Sequence, residues 1–270
     1  LGIVGLNGSG KTVLLKCICG LMEYSSGTIK VNEKIIGKEC EYPKSMGVII
    51  ETPGFLPYYS GIKNLEYLAS LRKKIGKQEI KDVLVKVGLQ GEEKKLVAKY
   101  SLGMKQRLGI ALALVGDPEL IVLDEPINGL DPQGIAEMRE IIHKLSKERG
   151  MTVIVSSHIL DELAKVADAF GIINDGKLID EFTAEELEAR CGKYIVIKAG
   201  EPEKLEKVLA DNGVNKYEVL NNGAIRINDE IEDTSKLIAA LVGAGVPVYE
   251  LASVQDTLEQ YYLNRTGGNV

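Results

Sequence analysis

Long apolar runs are missing from this sequence. No uninterrupted stretch could span a bilayer, so any membrane role must run through a partner. No signal-peptide pattern opens it, and we expect a cytosolic chain. Cysteine is scarce. Cys17, Cys19, Cys40 and Cys191 form no C-x-x-C pair and no spaced metal motif, so reduced, buried thiols are expected. Positive charge is in deficit: 33 Lys and Arg against 39 Asp and Glu give a net charge of −6. That balance argues against a protein built mainly to hold nucleic acid. Of only two histidines, His143 falls on the surface of an expected helix, which leaves His158 as the candidate for chemistry.

What is present is ordinary in bulk. The 270 residues suffice for one large domain or two modest ones, and 45% hydrophobic with 27% charged residues suits a globular protein. The informative stretch is Gly5-Leu6-Asn7-Gly8-Ser9-Gly10-Lys11-Thr12, which fits G-x-x-x-x-G-K-[ST]. The apolar run Leu1 to Val4 leads in, and an apolar-periodic stretch from Val13 to Met22 leads out: strand, glycine loop, helix. A triphosphate concentrates negative charge and acceptor oxygens. Glycines let backbone N–H groups approach it, and the new helix adds its positive end. Lys11 is placed to reach the β- and γ-phosphates, and the Thr12 hydroxyl to hold Mg²⁺. A chance match in a chain of this length has a probability of about one in a hundred.

Downstream, Gly27–Val31 and Lys34–Ile36 predict a hairpin around Asn32-Glu33. Ser45–Ile50 predicts a buried strand ending at Glu51, and Thr52–Pro57 a loop rich in breakers. Helical spacing over Ile62–Ile75 and Gln78–Val87 predicts a helical insert. Ser101 suits an N-cap for the helix that runs to Val115. Leu120–Leu123 reads as a strand buried on both faces, ending at Asp124-Glu125-Pro126. A helix to about Glu148 follows, then a strand from Met151 to Val155 that ends at Ser156-Ser157-His158. Strands alternating with helices imply a parallel α/β sheet, whose ligands bind at the carboxyl ends of the strands. The glycine loop, Asp124-Glu125 and His158 all fall there. Asp124 suits the Mg²⁺ shell, Glu125 the attacking water and His158 the γ-phosphate, the division of labour that phosphoryl transfer needs.

Ala169–Asn174 and Lys177–Asp180 predict a strand pair around Asp175-Gly176, followed by a helix to Arg190. The composition then resets. The order β-α-β-β-α-β from Tyr194 to Ala252 predicts a small α+β ferredoxin-like domain, closed by a helix over Val254–Leu263. We therefore expect domains at 1–190 and 191–270, with no catalytic constellation in the second.

Over Leu1 to about Ala189 the sequence resembles the ATP-binding subunits of ABC transporters. The resemblance rests on the Walker A loop Gly5–Thr12, the Walker B strand Leu120–Asp124 with Glu125, the D-loop Gly129-Leu130-Asp131-Pro132 and the switch histidine His158. It implies a P-loop NTPase fold with a helical insert, and ATP with Mg²⁺ as cofactors. ATP contacts would come from Asn7, Gly8, Ser9, Gly10, Lys11, Thr12, Glu51, Asp124 and Asp131, with Thr12 and Asp124 on the metal and Glu125 and His158 catalytic. In that family two copies dimerise head to tail, so Ser101 and Gly103 would meet the γ-phosphate of the opposite subunit's ATP. The family also carries a strand and base-holding residues before the loop, a region that this sequence, with its loop at Gly5, is expected to lack.

Two positions depart from the usual pattern. The signature Leu-Ser-Gly-Gly-Gln reads Tyr100-Ser101-Leu102-Gly103-Met104, and the Q-loop glutamine is Glu51. Both changes, and the closing Asp256–Gly268, resemble the branch linked to bacitracin and lantibiotic self-protection. The resemblance implies an exporter subunit of peptide-antibiotic or multidrug type. It would sit peripheral to the inner face of the cell membrane, beneath a separate membrane subunit that Glu51–Tyr67 contacts. Two other classes stand beside it. One is a soluble ABC-type ATPase acting on nucleic acid, ribosomes or protein assemblies, against which the acidic balance and the single nucleotide domain count. The other is a nucleotide-binding regulator with little turnover, against which Glu125 and His158 count.

Overall fold

The computed structural model describes residues 1–270 except 72–74, 149, 192, 221, 230, 232 and 267–270. Parts of three expectations lie outside the described residues: the helix end at 72–74, the turn position 221 and the closing residues 267–268. The chain divides into two units, Leu1–Ala184 and Glu185–Val270.

In the first unit β1 (Gly2–Val4) leads through the glycine loop into α1 (Lys11–Ile18). A hairpin of β2 (Lys30–Val31) and β3 (Lys34–Ile35) follows. Its central residues Asn32 and Glu33 have φ of +48° and +61°, the backbone a two-residue hairpin favours. Next come β4 (Met46–Ile49), α2 (Gly61–Ser70), α3 (Lys77–Lys86) and α4 (Leu102–Leu114), the three helices packing on one another. The unit continues with β5 (Leu120–Asp124), α5 (Pro132–Lys147), β6 (Thr152–Ser157), α6 (Leu160–Ala164), β7 (Ala169–Asn174) and β8 (Lys177–Thr183).

Among the described residues the main sheet has the order β4-β5-β6-β1-β7-β8. Its first five strands run parallel, and β8 returns antiparallel. The completely buried β5 shows why its sequence lacks alternation: both of its faces are covered. Leu120 and Val122 pack with Leu15 of α1 and Cys19 just past its end, with Ile3, and with Ile154 and Ile173, on one face. Because β5, β6 and β1 are neighbours, their carboxyl ends open at one place.

The helix α7 (Ala184–Arg190) lies in the second unit from Glu185 on, and its Arg190 donates to the Tyr261 hydroxyl at 3.2 Å. The two units meet at Ala184 and Glu185, six residues before the division at 190 expected from the sequence. Then follow β9 (Lys193–Ala199), α8 (Pro202–Asp211), β10 (Tyr217–Val219), β11 (Ile225–Ile227), α9 (Thr234–Gly243), β12 (Val248–Gln255) and α10 (Leu258–Thr266). The antiparallel sheet has the order β10-β11-β9-β12. Ile195, Ile197, Ile225 and Ile227 pack under Leu205, Leu209, Leu237 and Leu241 of α8 and α9. The closing helix starts later than expected. Val254 and Gln255 pair with Tyr194 and Lys193 in β12, and Thr257 Oγ1 accepts the Gln260 N–H at 3.2 Å, capping α10.

One buried polar residue shapes the surface before α2. The fully buried Asn64 accepts the Leu56 N–H at 2.8 Å and donates to the carbonyls of Leu56, Ser60 and Tyr59 at 3.0, 3.1 and 3.4 Å. It fixes a loop that exposes Leu56, Tyr58 and Tyr59. Asn64→Ala strips these bonds and should cost about 2 kcal/mol or more, because the loop's polar groups lose buried partners. Chemical denaturation checks this, and an unchanged midpoint would show that the loop holds itself.

Candidate functional site

The glycine loop is shaped by close contacts. At Gly5 an added Cβ would lie 2.4 Å from the Ile173 carbonyl oxygen and 2.5 Å from Ser9 Oγ, so no side chain fits. Gly10, at φ +107°, occupies the N-cap of α1 in a backbone region closed to most residues. The Ser9 carbonyl accepts the Gly176 N–H at 2.9 Å, which ties the loop to the turn between β7 and β8. Ser9 Oγ is buried without a hydrogen-bond partner among the described residues. Lys11 is only 5% exposed. Its Nζ donates to the Gly5 and Leu6 carbonyls at 2.7 and 3.1 Å and ion-pairs with Glu125 Oε1 at 3.1 Å. A buried ammonium needs such partners, and a triphosphate would offer better ones.

The pairing of β5 with β6 sets Asp124 directly opposite Ser156. Thr12 Oγ1 donates to Asp124 Oδ2 at 2.7 Å, which joins the start of α1 to the end of β5. Ser156 Oγ donates to Asp124 Oδ1 at 2.5 Å and accepts the Glu125 N–H at 2.9 Å. Glu125 sits at φ +50°, a costly conformation for a non-glycine residue and one that clusters at functional sites. From there its carboxylate bridges two groups: Oε1 meets Lys11, and Oε2 lies 2.7 Å from His158 Nδ1. The Asp124 charge is also felt beneath the site. Burial first, and Asp124 second, push the Cys19 thiol up to about 12, which leaves it protonated and unreactive at neutral pH.

The other expected residues form a second group. Ser101 caps α4 by accepting the Met104 N–H at 3.2 Å, and Asp131 caps α5 by accepting the Gly134 N–H at 2.8 Å. Both line a groove of about 410 Å³ with Leu102, Gly103, Arg107 and Glu137. Leu102 lies against the D-loop, where a Cβ added at Gly129 would be 3.2 Å from its Cδ2. Arg107 spans the groove wall to Glu137 at 3.3 Å. Glu51 does not join the pair formed by Thr12 and Asp124. Its exposed carboxylate meets Lys16 Nζ at 2.8 Å, and the Lys16 hydrogen bond, then its charge, hold Glu51 below the usual carboxylate range. Asn7 and Gly8 are exposed at the loop tip, and His143 is exposed on α5.

Two features escaped the sequence reading. The ion pair between Lys11 and Glu125 joins residues 114 positions apart, so no local pattern signals it. Ser156 was visible only as a polar residue at a strand end, because its contact depends on strand register.

All four cysteines are free, as expected, but only Cys19 and Cys191 are buried, while Cys17 and Cys40 are half-buried. Comparison with known proteins gives the site its context. A family model described as ABC transporter matches residues 1–128. The chain is 41% identical over 269 residues to the bacitracin transport ATP-binding protein BcrA of Bacillus licheniformis, covering 99% of this chain and 88% of that one. It is 42% identical over 181 residues to the lantibiotic transport ATP-binding protein SrtF of Streptococcus pyogenes, covering 66% and 76%. Among solved structures, cbiO1 from Clostridium perfringens, part of an ABC transporter complex, is 26% identical with a TM-score of 0.62, covering 77% of this chain and 82% of that one. A dimeric bacterial ABC transporter cassette at 21% identity shares the fold, with a TM-score of 0.60 over 68% of this chain and 84% of that one. The chain belongs to the ATP-binding proteins of ABC transporters, and as a member of that family it binds ATP and hydrolyses it.

Proposed function

We propose that this chain powers an ABC exporter of peptide-antibiotic or multidrug type by hydrolysing ATP beneath a separate membrane subunit. The observation that carries the catalytic part is the bridge from Lys11 through Glu125 to His158, set beside the bond between Thr12 and Asp124. The bacitracin and lantibiotic names of the similar proteins support the cargo class.

The residues fit a bound Mg²⁺. Thr12 and Asp124 supply hard oxygens at one point, and no cluster of three or more His, Cys, Asp or Glu stands among the described residues, so phosphate oxygens and water would complete the shell. The ion would neutralise charge between the β- and γ-phosphates. Lys11 exchanges Glu125 Oε1 for phosphate oxygen, which frees that carboxylate oxygen to accept a proton from water. His158 keeps hold of Oε2 and so fixes the direction in which the base points. The start of α1, at Lys11, would face the same phosphates with its positive end.

Assembly follows the same logic. The groove of Ser101, Gly103 and Asp131 contacts the ATP held by a second copy, giving a homodimer, a reading supported by the dimeric cassette of the same fold. The loop that exposes Leu56, Tyr58 and Tyr59, with Tyr67 beyond it, suits the membrane subunit on the inner face of the membrane. No helix among the described residues is long and apolar enough to cross a membrane. The net charge of −6 gives no support to a nucleic-acid partner. We read the carboxy-terminal unit, 191–270 in the sequence division, as ferredoxin-like, which its β-α-β-β-α-β order supports. The helices α2 and α3 serve as the insert of the nucleotide domain.

Glu125→Gln should bind ATP while hydrolysing it about 100-fold or more slowly, the contribution expected of a general base. Phosphate release checks this, and normal turnover would remove the base from Glu125. Lys11→Ala should weaken nucleotide binding about tenfold or more, read by a fluorescent analogue, through loss of charge-assisted bonds. For the exporter reading, tagged full-length protein recovered from detergent-solubilised membranes should bring down a multi-spanning protein in stoichiometric amount. Recovery of soluble partners alone, such as ribosomal proteins, would overturn it.

A further inference from the structure

We propose that Ser156 is a positioning residue for ATP hydrolysis, whose single hydroxyl sets both the metal-facing carboxylate and the backbone of the general base. The inference rests on the catalytic reading above and deepens it. Ser156 is fully buried. A hydroxyl has one proton to give and lone pairs to accept with. Here the proton goes to Asp124 Oδ1 at 2.5 Å, and a lone pair takes the Glu125 N–H at 2.9 Å.

Each bond has a separate consequence. With Oδ1 occupied by Ser156, the oxygen that Thr12 contacts, Oδ2, is the one that can turn toward a cation when the Thr12 hydroxyl leaves it. The hydroxyl thus chooses which carboxylate oxygen serves the metal, the service that outer-shell partners give ligating carboxylates. The second bond holds Glu125 at φ +50°, where the chain would not rest unaided. That backbone directs the carboxylate toward Lys11 and His158 together. Strand register supplies the placement, since Ser156 stands directly across from Asp124 in the pairing of β5 with β6. The neighbouring Ser157, also buried, turns the other way and accepts the Ile159 N–H at 2.9 Å.

The test uses the full chain, a fluorescent ADP analogue titrated with Mg²⁺ present and with the metal chelated, and steady-state hydrolysis. For Ser156→Ala we expect kcat to fall about tenfold or more with KM for ATP changed less than about threefold. The gain in nucleotide affinity that Mg²⁺ gives the wild type should shrink by about threefold or more, while affinity in chelator stays unchanged. Ser156→Thr, which keeps the hydroxyl, should recover most of both effects. Ser156→Ala with wild-type kcat and a wild-type Mg²⁺ gain would overturn the proposal. So would a general loss, in which affinity in chelator and melting temperature fall together and Ser156→Thr restores nothing, because that pattern marks packing alone. Asp124→Asn separates the two levels. If it abolishes the Mg²⁺ gain while Ser156→Ala leaves it intact, only the role of Ser156 falls. If Asp124→Asn keeps the full gain, the metal assignment falls and the role of Ser156 falls with it.

Discussion

The structure of the first unit turns on one buried ammonium. Removing a lysine charge from water costs on the order of several kcal/mol unless partners replace the hydration. Lys11 finds them in the Gly5 and Leu6 carbonyls and in Glu125. Those contacts bend the glycine loop around the lysine and draw the end of β5 toward the start of α1. The helix α1 begins at this same lysine, so the positive end of its dipole lies at the loop. The same geometry that stabilises the lysine therefore prepares the loop for an anion.

Sheet order makes the convergence possible. The strand β1 lies beside β6, and β6 beside β5, so the glycine loop, His158 and Asp124-Glu125 leave three adjacent strand ends. Sequence distance has no bearing on this: Thr12 and Asp124 are in contact across 112 positions. Parallel strands connected by helices always return to the same end, and ligands collect there for that reason.

Much of this was legible in the residues and some of it could not be. The strand, loop and helix of Gly2–Ile18 follow from glycines and apolar period, and the caps Ser101 and Asp131 from side-chain chemistry at helix starts. The turn at Asn32-Glu33 was legible because asparagine tolerates the left-handed region. The start of α10 was not, because Val254 and Gln255 suit a strand or a helix until their pairing with β9 decides. Ser156 and Asn64 escaped for a related reason. Each is an ordinary polar residue whose importance comes from what the fold brings against it. The left-handed backbone of Glu125 has no sequence marker, since nothing in a glutamate before a proline demands it.

The two departures from the family's usual pattern are each answered within the unit. The added charge of Glu51 is met by Lys16, and the bulk of Leu102 lies against Gly129, where any side chain would crowd it. The charged groups of the site likewise have partners within it: Lys11 is ion-paired with Glu125, and Asp124 accepts the Thr12 hydroxyl. On the proposed mechanism, nucleotide binding is an exchange of partners and not the neutralisation of open charges. Its free energy is the difference between two well-bonded arrangements, so affinity depends on what each resting contact is worth as much as on what ATP supplies. An exchange of this kind links occupancy to catalysis directly. On the proposed mechanism, the contact that Lys11 would give up to phosphate is the one that holds Glu125 Oε1, so the base would be released when its substrate is in place.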